Sequence, residues 1–120
     1  MKNVLLFGYG KMGSSIARGW KLKDLNFNFF IIEKELSLRK TAYNDGFKAF
    51  ESIEQFKETK KLDNFDIIFL AVKPQQMEDT LEKFSKFNIS KSLFISIAAG
   101  LSFSWYRSKI DKNIKIVRAM

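Results

Sequence analysis

Val4-Leu5-Leu6-Phe7-Gly8-Tyr9-Gly10-Lys11-Met12-Gly13 is the stretch on which the fold of this chain turns. Four apolar residues in a row predict a buried strand, and residues 12–22 beyond them predict a helix. A strand, then G-x-G-x-x-G, then a helix is the setting in which a glycine pattern becomes a dinucleotide-binding fingerprint. Gly8 permits a tight turn off the strand, and Gly10 lets the backbone approach a pyrophosphate with no Cβ in the way. Gly13 lets the helix pack closely on the sheet. The phosphates would lie at the helix N-terminus, where unpaired N–H groups and the helix dipole favour negative charge. Without a ligand the same glycines would make only a tight turn. Their flanking strand and helix favour the dinucleotide.

Bulk composition narrows what else the chain can do. Its 120 residues suit one domain with a real core, and 46% hydrophobic content excludes a disordered chain. No apolar run approaches the roughly 18 residues of a membrane span. The start, with one lysine and a short apolar run ended by glycine, reads as a strand and not a signal peptide. There is no cysteine, so disulfides and thiolate metal sites are excluded. Nor is there histidine, the commonest metal ligand and the usual general base near neutral pH. No metal is expected, and no catalytic acid or base within these residues. The chemistry must be carried by a cofactor or completed elsewhere.

A net charge of +8 raises the question of nucleic acid. Of the 21 basic residues 17 are lysine, whereas arginine is preferred for bidentate phosphate and base recognition. The lysines scatter from Lys2 to Lys115 and draw no basic stripe, so a solvated surface is the better account and nucleic acid is not expected as a partner.

Apolar runs and helical patterns alternate along the rest of the chain. Strands are expected at residues 28–33, 47–50, 66–72, 93–97 and 114–117. Helices are expected at 36–44, closed by Asp45-Gly46, at 52–60, opened by a Ser52/Gln55 capping box, beyond Pro74, and from a Ser102 cap to Ile110. In the Pro74 helix, Met77, Leu81 and Phe84 form a core-facing stripe. In the last helix, Phe103 with Tyr106 or Trp105 is expected to face inward. Such β-α-β alternation implies an α/β fold, a doubly wound, mostly parallel sheet with helices on both faces. Ligand then binds at the carboxyl ends of the strands.

That rule selects the candidate site residues. Glu33 follows the second strand, twenty positions beyond Gly13, where a carboxylate would hydrogen-bond the ribose diol of NAD. A 2′-phosphate there would meet a repulsion of about 1–4 kcal/mol. Lys34 and Arg39 lie close enough to accept that phosphate if Glu33 turned outward, so the choice between NAD and NADP stays open. After the strongest strand come Ala71-Val72-Lys73-Pro74, in which the proline forces Lys73 to be extended, across the mouth of the crevice. Lys73 could contact the cofactor, fix the loop or be merely solvated. After the fifth strand, Ala98-Ala99-Gly100 offers almost no side-chain bulk, so a flat ring could lie on the backbone or the turn could be empty.

F-G-Y-G-K-M-G at 7–13, A-V-K-P-Q at 71–75, S-I-A-A-G at 96–100 and V-R-A-M at 117–120 together resemble pyrroline-5-carboxylate reductase. The first two patterns are shared with neighbouring NAD(P) dehydrogenases, whereas S-I-A-A-G followed by R-A-M is more particular. The resemblance implies a Rossmann-type NAD(P)-binding domain over residues 1–120, in a cytoplasmic, homo-oligomeric enzyme of proline biosynthesis. Gly8, Gly10, Lys11 and Met12 would hold the pyrophosphate. Ala71 to Pro74 would line the adenosine and nicotinamide ribose side, and Ala98 to Gly100 would sit near the nicotinamide. The implied reaction is hydride transfer from NAD(P)H to 1-pyrroline-5-carboxylate. In the family R-A-M runs on into a Pro-Asn segment and a helical domain that forms the dimer and much of the substrate site; these residues stop at Met120. Glu33 also departs from the polar or basic residues that family members using NADPH often carry. A related dehydrogenase, or a dinucleotide-binding module without turnover, are the alternative expectations.

Overall fold

Six strands lie side by side in one sheet in the order β3-β2-β1-β4-β5-β6, and every neighbouring pair is parallel. They are β1 (Lys2–Phe7), β2 (Phe27–Ile32), β3 (Lys48–Phe50), β4 (Ile67–Leu70), β5 (Leu93–Ser96) and β6 (Lys115–Arg118). Between them run α1 (Lys11–Leu22), α2 (Leu36–Asn44), α3 (Ile53–Thr59), α4 (Pro74–Glu82) and α5 (Phe103–Lys109); a 3₁₀ turn, Lys83–Lys86, extends α4. This computed structural model describes residues 2–23, 26–59, 64–86, 89–98 and 100–119. Strand order reverses direction at β1, the switch point at which doubly wound sheets bind ligand.

Alternation along the central strands supplies two cores, one per face. Val4, Leu6, Ile31 and Phe69 face the side covered by α1 and α2, where Ala17 and Ala42 are fully buried. Leu5, Phe7, Ile68 and Leu70 face the side of α3, α4 and α5, packed with Phe56, Met77 and Leu81. Phe56 alone meets the rings of Phe30, Phe50 and Phe65 at centroid distances of 5.1–5.5 Å. With helices on both faces, the central strands are buried on both sides, which is why they read as continuous apolar runs.

Several expectations shift at the ends of elements. The strongest strand is shorter than its apolar run: Asp66 is exposed, and Ala71 and Val72 lie beyond β4. At α3, Gln55 N–H donates to Ser52 Oγ at 3.1 Å, while the Gln55 side chain accepts from Glu51 N–H, one residue before the expected partner. Phe103 is not an inward residue. It is 37% exposed, and Tyr106 alone among the α5 aromatics is fully buried, because its hydroxyl reaches Ser96 inside the sheet. Among the described residues no helix is long and apolar enough to cross a membrane.

Candidate functional site

The turn after β1 is built by three glycines with different neighbours. Gly8 has φ +97°, and a Cβ on it would lie 2.7 Å from the Ala71 carbonyl oxygen. A Cβ on Gly13 would come within 2.0 Å of the Gly8 carbonyl oxygen, so α1 is packed directly onto the turn. Gly10 is different: a Cβ there would meet nothing within 4 Å. The protein's own packing therefore makes no demand for glycine at position 10, and the open space beside it is a cradle that a side chain would fill. Gly10 is the N-cap of α1 and offers no side chain to the N–H groups of the first turn, which have no acceptor within the helix. No acidic residue occupies that turn. These are the properties an anion needs at a helix start.

Tyr9, between the first two glycines, fastens the turn to the rest of the molecule. Its ring is 1% exposed, buried beneath α1 and edge-on to Phe47. Its N–H donates to Glu33 Oε1 at 2.7 Å, and its hydroxyl donates to Asp45 Oδ2 at 2.5 Å. Asp45 also pairs with Arg18 at 2.9 Å and, through its carbonyl, with the Lys21 ammonium. Burial, then the adjacent Asp45 carboxylate, pushes the Tyr9 phenol well above its ordinary range. The Tyr9 hydrogen bond, followed by Arg18, holds Asp45 below the usual carboxylate range, and Arg18 is raised by the same aspartate.

Glu33 is thereby turned inward. Its second oxygen accepts Glu35 N–H at 3.0 Å, and its backbone carbonyl accepts from Arg39 Nη1, which also bonds the Lys34 carbonyl. Only 9% of Glu33 is exposed. The outward turn that would leave Lys34 and Arg39 to meet a 2′-phosphate is not the arrangement present.

A cleft of about 690 Å³ opens at the carboxyl ends of β1, β2 and β4. It brings together Gly8, Gly10, Glu33, Lys34, Ala71, Val72 and Lys73 of the expected residues. Lys73 is extended (φ −66°, ψ 151°) and Pro74 opens α4 behind it. Lys11, Met12 and Gly13 lie on α1 beside the cleft and do not line it, and Met12 is 59% exposed. Pro74, Ala98 and Gly100 do not line it either. Ala98 is buried next to the Ser96–Tyr106 hydrogen bond, its N–H donating to Ser96 Oγ at 3.3 Å, and Gly100 turns the chain at φ +85°. Ala99 lies outside the described residues. A smaller hollow of about 310 Å³, walled by Trp20, Phe27 and Phe47, lies at the amino end of β2, and none of Gly8, Gly10 and Gly13 lines it. Among the described residues no three acidic side chains gather to hold a metal.

Sequence reasoning passed over Tyr9, Asp45 and the Ser96–Tyr106 pair. One signal was available: a large aromatic residue inside a turn must bury its ring somewhere.

The sequence profile of the family described as NADP oxidoreductase coenzyme F420-dependent matches residues 3–100. The chain is 32% identical over 117 residues to pyrroline-5-carboxylate reductase of Aquifex aeolicus, covering 98% of this chain and 41% of that protein. The chain thus spans about two-fifths of the length of that relative. Among solved structures, 1-pyrroline-5-carboxylate reductase from Streptococcus pyogenes superposes with a TM-score of 0.75 at 24% identity, over 98% of this chain and 41% of that one. Prephenate dehydrogenase from A. aeolicus, solved with NAD+ and hydroxyphenyl propionate, gives 0.81 at 16% identity, over the same shares. The two likenesses carry the fold, and the fold alone does not separate their substrates.

Proposed function

Since the chain belongs to the family of NADP oxidoreductases described as coenzyme F420-dependent, we propose that it binds the nicotinamide dinucleotide of a pyrroline-5-carboxylate reductase. The observation that carries the dinucleotide is the open cradle at Gly10, facing the uncapped start of α1. Identity with the A. aeolicus reductase along nearly the whole chain favours that substrate over the prephenate of an equally close fold neighbour.

In this reading the first-turn N–H groups from Lys11 to Gly13 hold the pyrophosphate, with Gly8 and Gly10 leaving it room. Glu33 and Lys34 stand at the adenosine ribose, and Ala71, Val72, Lys73 and Pro74 border the crevice towards the nicotinamide ribose. By the resemblance, Ala98, Ala99 and Gly100 belong near the nicotinamide, where residues with so little side chain leave room for a flat ring. The reduced cofactor, NADH or NADPH, supplies a hydride to the C=N carbon of 1-pyrroline-5-carboxylate, whose nitrogen takes a proton to give L-proline. The chain's contribution is to bind and orient; none of these residues acts as acid or base. The partners are the dinucleotide, 1-pyrroline-5-carboxylate and a second copy of the protein, in the cytoplasm.

The test is consumption of NADH or NADPH on addition of 1-pyrroline-5-carboxylate, with proline measured as product. Proline formed in step with cofactor oxidation is the expected result. Cofactor binding with no turnover would replace this reading with that of a binding module, and turnover of prephenate or a deazaflavin instead would move it to a neighbouring dehydrogenase.

A further inference from the structure

We propose that Tyr9 sets the choice of cofactor, by locking the Glu33 carboxylate inside the adenosine end of the cleft so that NADH is taken in preference to NADPH. The inference rests on the dinucleotide reading above and adds to it which dinucleotide is selected and by what device.

The lock has two ends in one residue. At its backbone, Tyr9 N–H holds Glu33 Oε1 at 2.7 Å, while Glu35 N–H holds the other oxygen at 3.0 Å. At its side chain, the Tyr9 hydroxyl is held by Asp45, which Arg18 secures in turn. Turning Glu33 out of the cleft would break two hydrogen bonds from N–H groups to a charged acceptor, the stronger kind. The Tyr9 N–H would be left buried without a partner, a further cost. Each oxygen bound to an N–H still has a lone pair free, so the carboxylate can accept from a ribose hydroxyl where it stands. A phosphate at the same place meets a negative charge that cannot move away.

The surroundings of Glu33 reinforce this. The chain as a whole is strongly basic, yet the cleft lining carries six acidic residues, Glu35, Glu51 and Asp79 among them, against three lysines. Arg39, the cation best suited to a 2′-phosphate, does not line the cleft, and its Nη1 is engaged by the Glu33 and Lys34 carbonyls. Lys34, next to Glu33 in the chain, lines the cleft and is exposed. A single exposed lysine is a weaker phosphate ligand than a pre-organised arginine.

Dissociation constants for NADH and NADPH, measured on the same preparations by fluorescence titration, test the proposal. Wild type is expected to bind NADH about tenfold more tightly or better. In Glu33→Ser the ratio should fall towards one, through tighter NADPH binding. Tyr9→Phe keeps the ring and the backbone N–H but removes the hydroxyl anchored by Asp45, so the turn that presents this N–H to Glu33 is held less firmly. The ratio should narrow there too, with NADH weakened more than NADPH. Asp45→Ala removes the same anchor from the other side and serves if Tyr9→Phe does not fold, thermal melting being the check. A Tyr9 that merely supports the fold would lower both affinities by the same factor and leave the ratio as it was. That result, or a wild type that prefers NADPH, overturns the proposal while leaving the dinucleotide reading intact. If neither dinucleotide binds, both fall together.

Discussion

A methyl group on Gly13 would stand 2.0 Å from the Gly8 carbonyl oxygen, so Gly13→Ala must push α1 off the turn. Overpacking of this kind costs about 1–3 kcal/mol. A lowered melting temperature, with dinucleotide affinity reduced as well, is the expected outcome. Asp45 makes a different prediction. Its carboxyl is held below the ordinary value by Tyr9 and Arg18, so the stability it contributes is present above the unfolded pKa of about 3.9 and lost as pH falls through the lower, folded one. Wild type should therefore exceed Asp45→Asn in melting temperature near neutral pH. The gap should close as the pH is taken below about 4. A gap that persists undiminished in acid would mean that the Tyr9–Asp45–Arg18 cluster does not act through this charge. The close packing at Gly13 was legible in the sequence; the Tyr9–Asp45–Arg18 cluster was not, because Tyr9 and Asp45 stand 36 residues apart and only the folded chain brings them together.

Helices α1, α2 and α4 begin with no side-chain cap, whereas α5 is closed by Ser102, whose Oγ accepts Trp105 N–H at 3.1 Å. An element of seven residues has little other local support, so Ser102→Ala should cost about 1 kcal/mol, read from denaturant unfolding. An unchanged midpoint would show that packing through Tyr106 alone holds α5. Secondary structure was largely legible: apolar runs located all six strands, and Gly, Pro and Ser marked most turns. Burial patterns give the faces of an element but not its last hydrogen bond, and for that reason Ala71 and Val72 were placed in a strand that ends at Leu70. Phe103 was misplaced for a related reason. A short helix with three aromatics admits two registers, and the Tyr106 hydroxyl bond to Ser96 selects one, leaving Phe103 beneath the guanidinium of Arg118 at 4.9 Å.

At the scale of the whole molecule, alternation of strands and helices with right-handed crossovers was enough to foresee a doubly wound sheet, and a cleft does open at the carboxyl ends of its strands. Physical reasoning at that scale also separates the glycines: the fold itself requires Gly8 and Gly13, while its packing makes no such demand at Gly10. Wild type saturated at about a hundred times its dissociation constant should gain roughly 2.7 kcal/mol of stability, visible as a higher melting temperature. Most direct is the titration of Gly10→Val with NADH and NADPH beside the wild type. The extended backbone at Gly10 (φ −74°, ψ −159°) accepts valine, so the variant should melt within a few degrees of wild type and bind neither dinucleotide measurably. Wild-type affinity in a folded Gly10→Val protein would contradict the account, because the pyrophosphate would then lie somewhere other than the turn after β1.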